Sequence, residues 1–591
     1  MMDSLLPADQ PVSEDGSAQL AHRIAVAAGD RPADLVLRGG RVLSVFTGEL
    51  VQADVAVAGE YVAGLGRYEG RTEVDVTGLI LLPGFIDAHM HIESTKLMVD
   101  QFARAALPAG TTTVILDPHE IANVFGVNGV RALLASAGQM PLDYYMMMPS
   151  CVPAGPFESS AFTLGAADIA ELLASEPRAL GLAELMDFPG VVSGDPAVLA
   201  KIEVVRAAGR HIDGHAPRLT GKDLCAYLAA GVGSDHECTT LDEALEKRRL
   251  GMQIMIREGS ATRDVEALIP MVIRYGPANC MLCTDDCEPH LLMREGHMNR
   301  VVRRAVAVGC PAADAVTMAT LHAARWHRLT DHGAIGPGYL ADILAVEDLE
   351  RFAPVRVYKR GRLVAENGRA LAVPTAHVPD WMRGSVHVRT LTPADFDVAA
   401  QGQVRVIGMA SGTIVTRSLV RTASVSAGFA VADPARDLAK VAVIERHHDT
   451  GRIGLGFVTG FGLRRGALAS THAHDAHNLV VVGADDADMA VAANRLATLG
   501  GGQVAVAGGR VLAELPLPIG GLVSDQPAED VAAAAERLEQ VAEADLGVTL
   551  PAPLMAMSFL ALSVIPELRI TDLGLIDTVK FAKTPLEVAA G

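Results

Sequence analysis

Aromatic residues are scarce: Phe, Trp and Tyr together make up 4% of the 591 positions. The core must therefore be filled by small aliphatics, and half of the residues are apolar, the composition of many α/β enzymes. Positive charge is also short. Fifty Lys and Arg face 70 Asp and Glu, a net charge of −20. That balance repels phosphate backbones and anionic lipid, which argues against nucleic acid and membrane surfaces as partners and leaves a small neutral substrate open. Seven cysteines, few and odd in number, imply no disulfide framework and fit a reducing cytoplasm. No uncharged apolar run reaches the ~18 residues a spanning helix needs. The stretch MMDSLLPADQPVSEDGSAQ is acidic without an apolar centre, so no signal peptide is expected. The expectation is a soluble cytoplasmic protein.

At ~100–200 residues per domain, a chain of this length should hold several. Residues 1–33 read as a polar arm with a helix around 18–28. From Leu35 short alternating strands interrupted by Gly39, Gly40, Gly48 and Gly59 suggest a small sheet. Pro83–Gly84 breaks that rhythm. Up to about Leu329 a short apolar strand, a polar loop and a helical stretch repeat, with strand ends near His89, Asp117, Met148, Glu184, Asp213, Asp235, Ile256 and Thr284. Eight such units match a (β/α)8 barrel, whose typical length is ~250 residues. GAIGPGYLADILAV (333–346) and VRVYKRGRLVAENGR (355–369) return to strands, and barrel termini lie close together. The predicted fold class is α/β. A small β-sandwich is drawn from both flanks (34–82 with 333–372), and the metal-dependent TIM-like barrel spans 83–332. A Pro-containing linker (374–383) follows, then a C-terminal α/β domain (385–591) with Ala-rich helices such as 528–544.

The strongest chemical signal is PGFIDAHMHIES (83–94). Strand side chains alternate, so His89 and His91 share a face while Met90 points away. At the C-terminal end of a barrel strand such a pair can hold a metal ion. The other strand ends add Glu184 in GLAELMD, His215 in HIDGHAP, His236 in GVGSDHE, and Asp285 and Asp286 in MLCTDD. Buried imidazoles and carboxylates are costly unless paired or metal-bound, so their recurrence at one rim points to a shared site.

PGFIDAHMH followed by a late Thr-Asp-Asp resembles the amidohydrolase superfamily. Together, DAHMHIES, TTTVILDPHEIANVFG, GLAELMDFPGVV, DGHAP, SDHE, CTDD and the later THAHDAHNLVVVG resemble its bacterial adenine deaminases, over about residues 34–591. The resemblance implies hydrolysis of adenine to hypoxanthine and ammonia at a binuclear centre. His89, His91 and Asp285 would hold one ion, and His215 and His236 the other. Many relatives bridge the ions with a carboxylated lysine on strand four. Here Glu184 stands on that strand, and a carboxylate can bridge two cations unmodified. Manganese or iron is implied, and imidazole with carboxylate ligation also admits zinc. A homo-oligomer, first of all a dimer, is implied too.

In that setting Asp285 is expected to take the proton of the attacking water. A second acid is needed to protonate the purine ring. Glu120, in the Asp117-Pro118-His119-Glu120 loop, is the first candidate, against the alternative of a carboxylate stabilised by a helix N-terminus. Glu237 is the second. Asp117 and His119 are read as orienting or substrate-binding partners. His472, His474, Asp475 and His477 in THAHDAHN are read either as an additional metal site or cleft wall, or as a hydrogen-bonded turn before the strand LVVVG. Cys280, Cys283 and Cys287 mimic a zinc spacing, but an offset of three on a strand puts Cys280 and Cys283 on opposite faces, and they are read as buried apolar groups. His91-Ile92-Glu93 matches the H-x-E of another deaminase class, which also needs a P-C-x-x-C that this chain lacks. His322, His327 and His332 are read as capping or surface groups. The same ligands would serve a cyclic amidase or another purine deaminase, and a metal-less barrel scaffold is the non-enzymatic alternative.

Overall fold

The computed structural model describes residues 14–588. The start of the N-terminal arm and the last three residues lie outside that span. The helix Glu14–Ala27 packs Val26 against the small sheet, among Val36, Ala56 and Ala63.

The alternating segments before Pro83 form two sheets. One runs in the order Tyr61–Leu65, Val55–Ala58, Ala33–Arg38, Gly70–Asp75. The other joins both flanks of the barrel: Ile80–Pro83 pairs antiparallel with Ile343–Val346, with Leu82 opposite Leu344. Leu37, Val42, Val57, Leu81 and Ile343 fill the space between the sheets. Inner strands such as Val55–Ala58, Ile80–Pro83 and Ile343–Val346 are buried on both faces, whereas the edge strand Leu50–Gln52 is exposed throughout.

Between the flanks eight parallel strands close a barrel: Phe85–His91, Thr111–Leu116, Asp143–Met148, Ala179–Leu185, His211–Gly214, Ser234–Asp235, Gln253–Arg257 and Cys280–Cys283. Strands one to five form one continuous ladder and strands six to eight another. Gly233 N–H bonds the Ile212 carbonyl (3.0 Å) between strands five and six. Asp285 and Asp286, just past strand eight, pair with Met90 and His91 of strand one. Strands buried on both faces read as unbroken apolar runs, as in ILLPGFIDA and CMLC. Cys280 and Cys283 are buried in different core clusters, on opposite sides of strand eight.

The end of the barrel departs from expectation. His327 and His332 are buried inside, where surface or capping roles were expected, and His322 is half-buried. His327 sits between His211 Nε2 (3.1 Å) and the Ala88 carbonyl (3.0 Å). His332 sits between Asp331 (2.7 Å) and Asp143 (3.2 Å). After its last helix the chain turns back beneath the strands, and these rings bond the barrel to the segments that close it.

Past the linker lies an eight-stranded sheet. It is antiparallel except where Gln403–Gly408 runs parallel to Ile453–Thr459. Its central strand Leu479–Gly483 is buried on both faces. Leu479 and Val481 pack on Met489, Ala493 and Leu496 of the helix Asp486–Leu499. Val480 and Val482 point the other way, into the cluster that holds Ile121 and Phe125 of the barrel. The C-terminal sheet thus shares a core with the barrel. Among the described residues no helix is long and apolar enough to cross a membrane, and all seven cysteines are free.

A candidate metal centre at the barrel mouth

Strand one delivers His89 and His91 to the same side, their ring centroids 4.9 Å apart, while Met90 enters the apolar core. His91 Nδ1 lies 3.1 Å from the Asp117 carbonyl. A carbonyl only accepts, so the ring's proton sits on Nδ1 and the Nε2 lone pair is free. That Nε2 is 3.2 Å from Asp285 Oδ1 and 3.3 Å from Glu184 Oε1. His89 Nε2 lies 3.7 Å from Asp285 Oδ1, and its ring stacks on His236 at 4.2 Å.

Glu184, at the end of strand four, is central. Its Oε2 lies 2.7 Å from His215 Nδ1 and 3.2 Å from His236 Nε2, and its Oε1 faces His91 and, at 3.5 Å, His119. Strands one, four, five and six and the turn after strand eight thus bring His89, His91, Glu184, His215, His236 and Asp285 into one cage. All six are nearly inaccessible to solvent.

Asp285 adopts a left-handed backbone (φ 60°), a conformation that costs energy for a residue with a Cβ but that aspartate bears more readily than most. Its neighbours hold it there. Asp87 accepts from the Thr284 amide (3.0 Å) and hydroxyl (2.5 Å). Arg257 Nη1 donates to Asp285 Oδ2 (3.0 Å). Arg257 also grips both oxygens of Glu237 and reaches Asp264 through Nε (2.8 Å). Glu237 lies 3.6 Å from His236 and 3.7 Å from His215. Burial alone would raise the Asp285 carboxyl, but the neighbouring imidazoles of His89 and His91 and the Arg257 charge hold it well below the usual range. Against the same burial, His236 and His215 hold Glu184 low. Asp286 goes the other way, pushed up to about 8 by burial and by the neighbouring Asp285.

The loop after strand two divides its residues. His119 turns its ring between Asp117 Oδ2 (3.1 Å) and Asp475 Oδ1 (3.6 Å) and lines the cleft. Glu120 does not line it. Glu120 is fully buried on the far side, 3.3 Å from both His472 and His474, and it accepts from Ser94 Oγ at 3.3 Å. Of the two acid candidates only Glu237 lies on the wall. His472, His474, Asp475 and His477 occupy a turn, with the His477 amide bonded to the Ala473 carbonyl (2.8 Å). Of these four, His474 and Asp475 face the cleft.

Several participants were not singled out from sequence. Arg257 lies one residue beyond the expected end of strand seven. Asp87 stands inside the PGFIDAHMH motif but was given no role. Ile414, Phe559, Leu562 and Ile565 form an apolar wall over the cage, and in sequence they are ordinary core residues.

The cage suits divalent cations. His89 Nε2, His215 Nε2, both nitrogens of His119 and both carboxylate oxygens of Asp117 are buried and, among the described residues, lack a hydrogen-bond partner. Such groups are costly unless something satisfies them. Their donors converge within 4.8 Å in overlapping sets: His89, His91 and Asp285; His89, Glu184 and His236; His91, Asp117, His119 and Glu184. Mixed imidazole and carboxylate sets of this kind bind borderline and hard divalent ions.

The Amidohydrolase family matches residues 80–364, and the Adenine deaminase C-terminal domain matches residues 413–582. "Adenine deaminase 2" of Carboxydothermus hydrogenoformans is 46% identical over 567 residues, covering 96% of this chain and 99% of that protein. "Adenine deaminase" of Desulfatibacillum aliphaticivorans is 46% identical over 555 residues, covering 94% and 97%. Among solved structures, a β-aspartyl dipeptidase from Fervidobacterium islandicum AW-1 aligns with a TM-score of 0.44 at 17% identity, covering 58% of this chain and 99% of that one. A barrel with this ring of donors at its mouth is an amidohydrolase. Within that class, the chain belongs to the adenine deaminase family.

Proposed function

We propose that the barrel cleft hydrolyses adenine to hypoxanthine and ammonia. The observation that carries this reading is the near full-length likeness to adenine deaminases, which runs through both halves of the chain that build the cleft. In the reaction a C6–O bond forms, the C6–N6 bond breaks, and protons move from water to the ring and to the departing amine.

His89, His91, Glu184, His215, His236 and Asp285 would hold two divalent ions. Manganese or iron is the first choice, with zinc admitted by the donors. Bound there, such ions supply a water made acidic enough to be deprotonated near neutral pH. The chain's own groups do the rest. Asp285, kept ionised, accepts the proton of the attacking water through its carboxylate. Glu237 hands a proton to the ring nitrogen, Asp285 passes the proton it took from water to the departing amine, and the proton of the new C6 hydroxyl returns to Glu237 as the carbonyl forms. Arg257 bonds both carboxylates and fixes the distance between proton acceptor and donor. His119, steadied by Asp117, orients the flat ring from the side. Ile414, Phe559, Leu562 and Ile565 exclude bulk water and offer the base an apolar face, which strengthens every polar contact inside.

The reaction fits purine salvage in a reducing cytoplasm, as seven free thiols support, and a homodimer is the proposed assembly. The test is ammonia release from adenine, adenosine, guanine and a hydantoin, using apoprotein reloaded separately with manganese, iron and zinc. Release from adenine far above the others is expected. No release from adenine with any of the three metals would overturn the reading.

A further inference from the structure

The turn 471–478 brings a second group of donors against the barrel, one side chain away from the cleft. Glu120 comes from the loop after strand two, and His472 and His474 come from the C-terminal sheet. All three are almost completely buried. Glu120 Oε2 stands 3.3 Å from His472 Nε2, and Glu120 Oε1 stands 3.3 Å from His474 Nδ1.

A protonated His472 paired with Glu120 would aim its N–H at the carboxylate. Instead His472 Nε2 and Glu120 Oε2 are each, among the described residues, without a hydrogen-bond partner although they are close neighbours. Two buried polar atoms in near contact that do not bond each other are costly unless a third group satisfies both. Donors placed tetrahedrally at metal–ligand distances of about 2.0–2.1 Å stand roughly 3.3–3.4 Å apart. Each oxygen of the Glu120 carboxylate keeps that separation from one imidazole nitrogen, Oε2 from His472 and Oε1 from His474. The two imidazoles meet at 5.2 Å with their planes at 89°, so their edges approach from different directions.

His477 also lies close, but its Nδ1 accepts from the Ala473 amide (3.0 Å). That leaves its ring proton on Nε2 and removes it from the ligand set. On its other face His474 stacks on Phe559 of the cleft wall, with centroids 4.7 Å apart. Ser94 Oγ lies within hydrogen-bonding distance of both Glu120 and Asp286.

We propose that Glu120, His472 and His474 hold a third cation, a transition-metal dication, at the seam between barrel and C-terminal sheet. Two imidazoles and one carboxylate select zinc, iron, cobalt or manganese over calcium and magnesium. The ion neutralises a buried carboxylate and ties the two halves together behind the cleft wall. Its donors are not those proposed for the reaction, and the site does not depend on which base the barrel deaminates.

The experiment is a metal count on the full chain. Apoprotein is titrated separately with Zn2+ and Mn2+, freed of excess ion by gel filtration and measured by elemental analysis. Wild type should saturate at three ions per chain. His472→Ala should saturate at two, and His472→Cys, which restores a donor, should return to three with zinc. Circular dichroism and elution volume report whether each variant is folded. Should His472→Ala not fold, the conservative Glu120→Gln, also expected at two, decides. A wild-type count of two, or three ions in a folded His472→Ala or Glu120→Gln, would overturn the proposal. Because no substrate is present, the count stands whether or not adenine turns out to be deaminated.

Discussion

The guanidinium of Arg257 faces three carboxylates at once, those of Glu237, Asp264 and Asp285, in a place with almost no solvent. Each would be costly to bury alone, and one delocalised cation satisfies all three because its donors fan out in a plane. Two of the three are the proposed proton acceptor and donor. Arg257→Gln should therefore do two things. It should lower kcat/KM for adenine by about 10²–10⁴-fold, the range of acid–base contributions. It should also cost about 3–5 kcal/mol of stability, as removal of one partner of a buried ion pair does. Steady-state kinetics and urea unfolding check both, and turnover within a few-fold of wild type would remove Arg257 from the site. Sequence offers a cue to this residue only in hindsight. Gln253–Arg257 reads as a buried apolar run whose last member is charged, and an end placed at Ile256 leaves that charge in an anonymous loop. His89, His91, Glu184, His215, His236 and Asp285 were legible because each stands where an apolar run stops. Glu120 shows the complementary limit. Its position in the chain gives its loop but not the direction of its side chain, and partners from the turn 471–478 draw it away from the cleft.

At the scale of elements, the strands differ in how many faces they bury. Barrel strands are covered on both sides, so most read as short apolar runs ending in polar loops; the sixth, only Ser234–Asp235, is the polar exception. The C-terminal strand LVVVG is equally apolar, but its two coverings have different origins. One is its own helix, which follows directly in the chain. The other is the barrel, from which hundreds of residues separate it, and no periodicity announces that neighbour. Leu479 faces the helix, fully buried among Met489, Ala493 and Leu496. Leu479→Ala should cost about 2–5 kcal/mol, the transfer and cavity loss of a buried leucine. Val425, 49% exposed in a short hairpin of the same half, is the control. Val425→Ala should stay within about 0.5 kcal/mol. Equal shifts in the urea midpoint for the two variants would mean that the sheet is not packed as described.

For the molecule as a whole, the cage is a concentration of buried charge at the point where barrel and C-terminal half meet. Glu184 and Asp285 are held ionised there, and Asp117 adds two carboxylate oxygens that, among the described residues, have no partner. In water each carboxylate would be hydrated. Here only imidazoles, Arg257 and bound cations can replace that hydration, and the imidazoles must stay neutral to act as ligands. Cation binding at this cage should therefore stabilise the fold, since the unfolded chain scatters these donors and binds weakly. An ion present at roughly 1,000 times its Kd adds about 4 kcal/mol to the folded state. Chelation should lower the melting temperature by several degrees and abolish ammonia release. Returning manganese or iron should restore both, with the melting temperature rising with the logarithm of ion concentration. The two readouts separate the possibilities. Lost activity at an unchanged melting temperature would place the ions in the reaction but not in the architecture. If neither quantity moved after the ions were shown to be gone, hydrogen bonds alone would be holding the cage, and the reading of its unpartnered donors as ligands would fail.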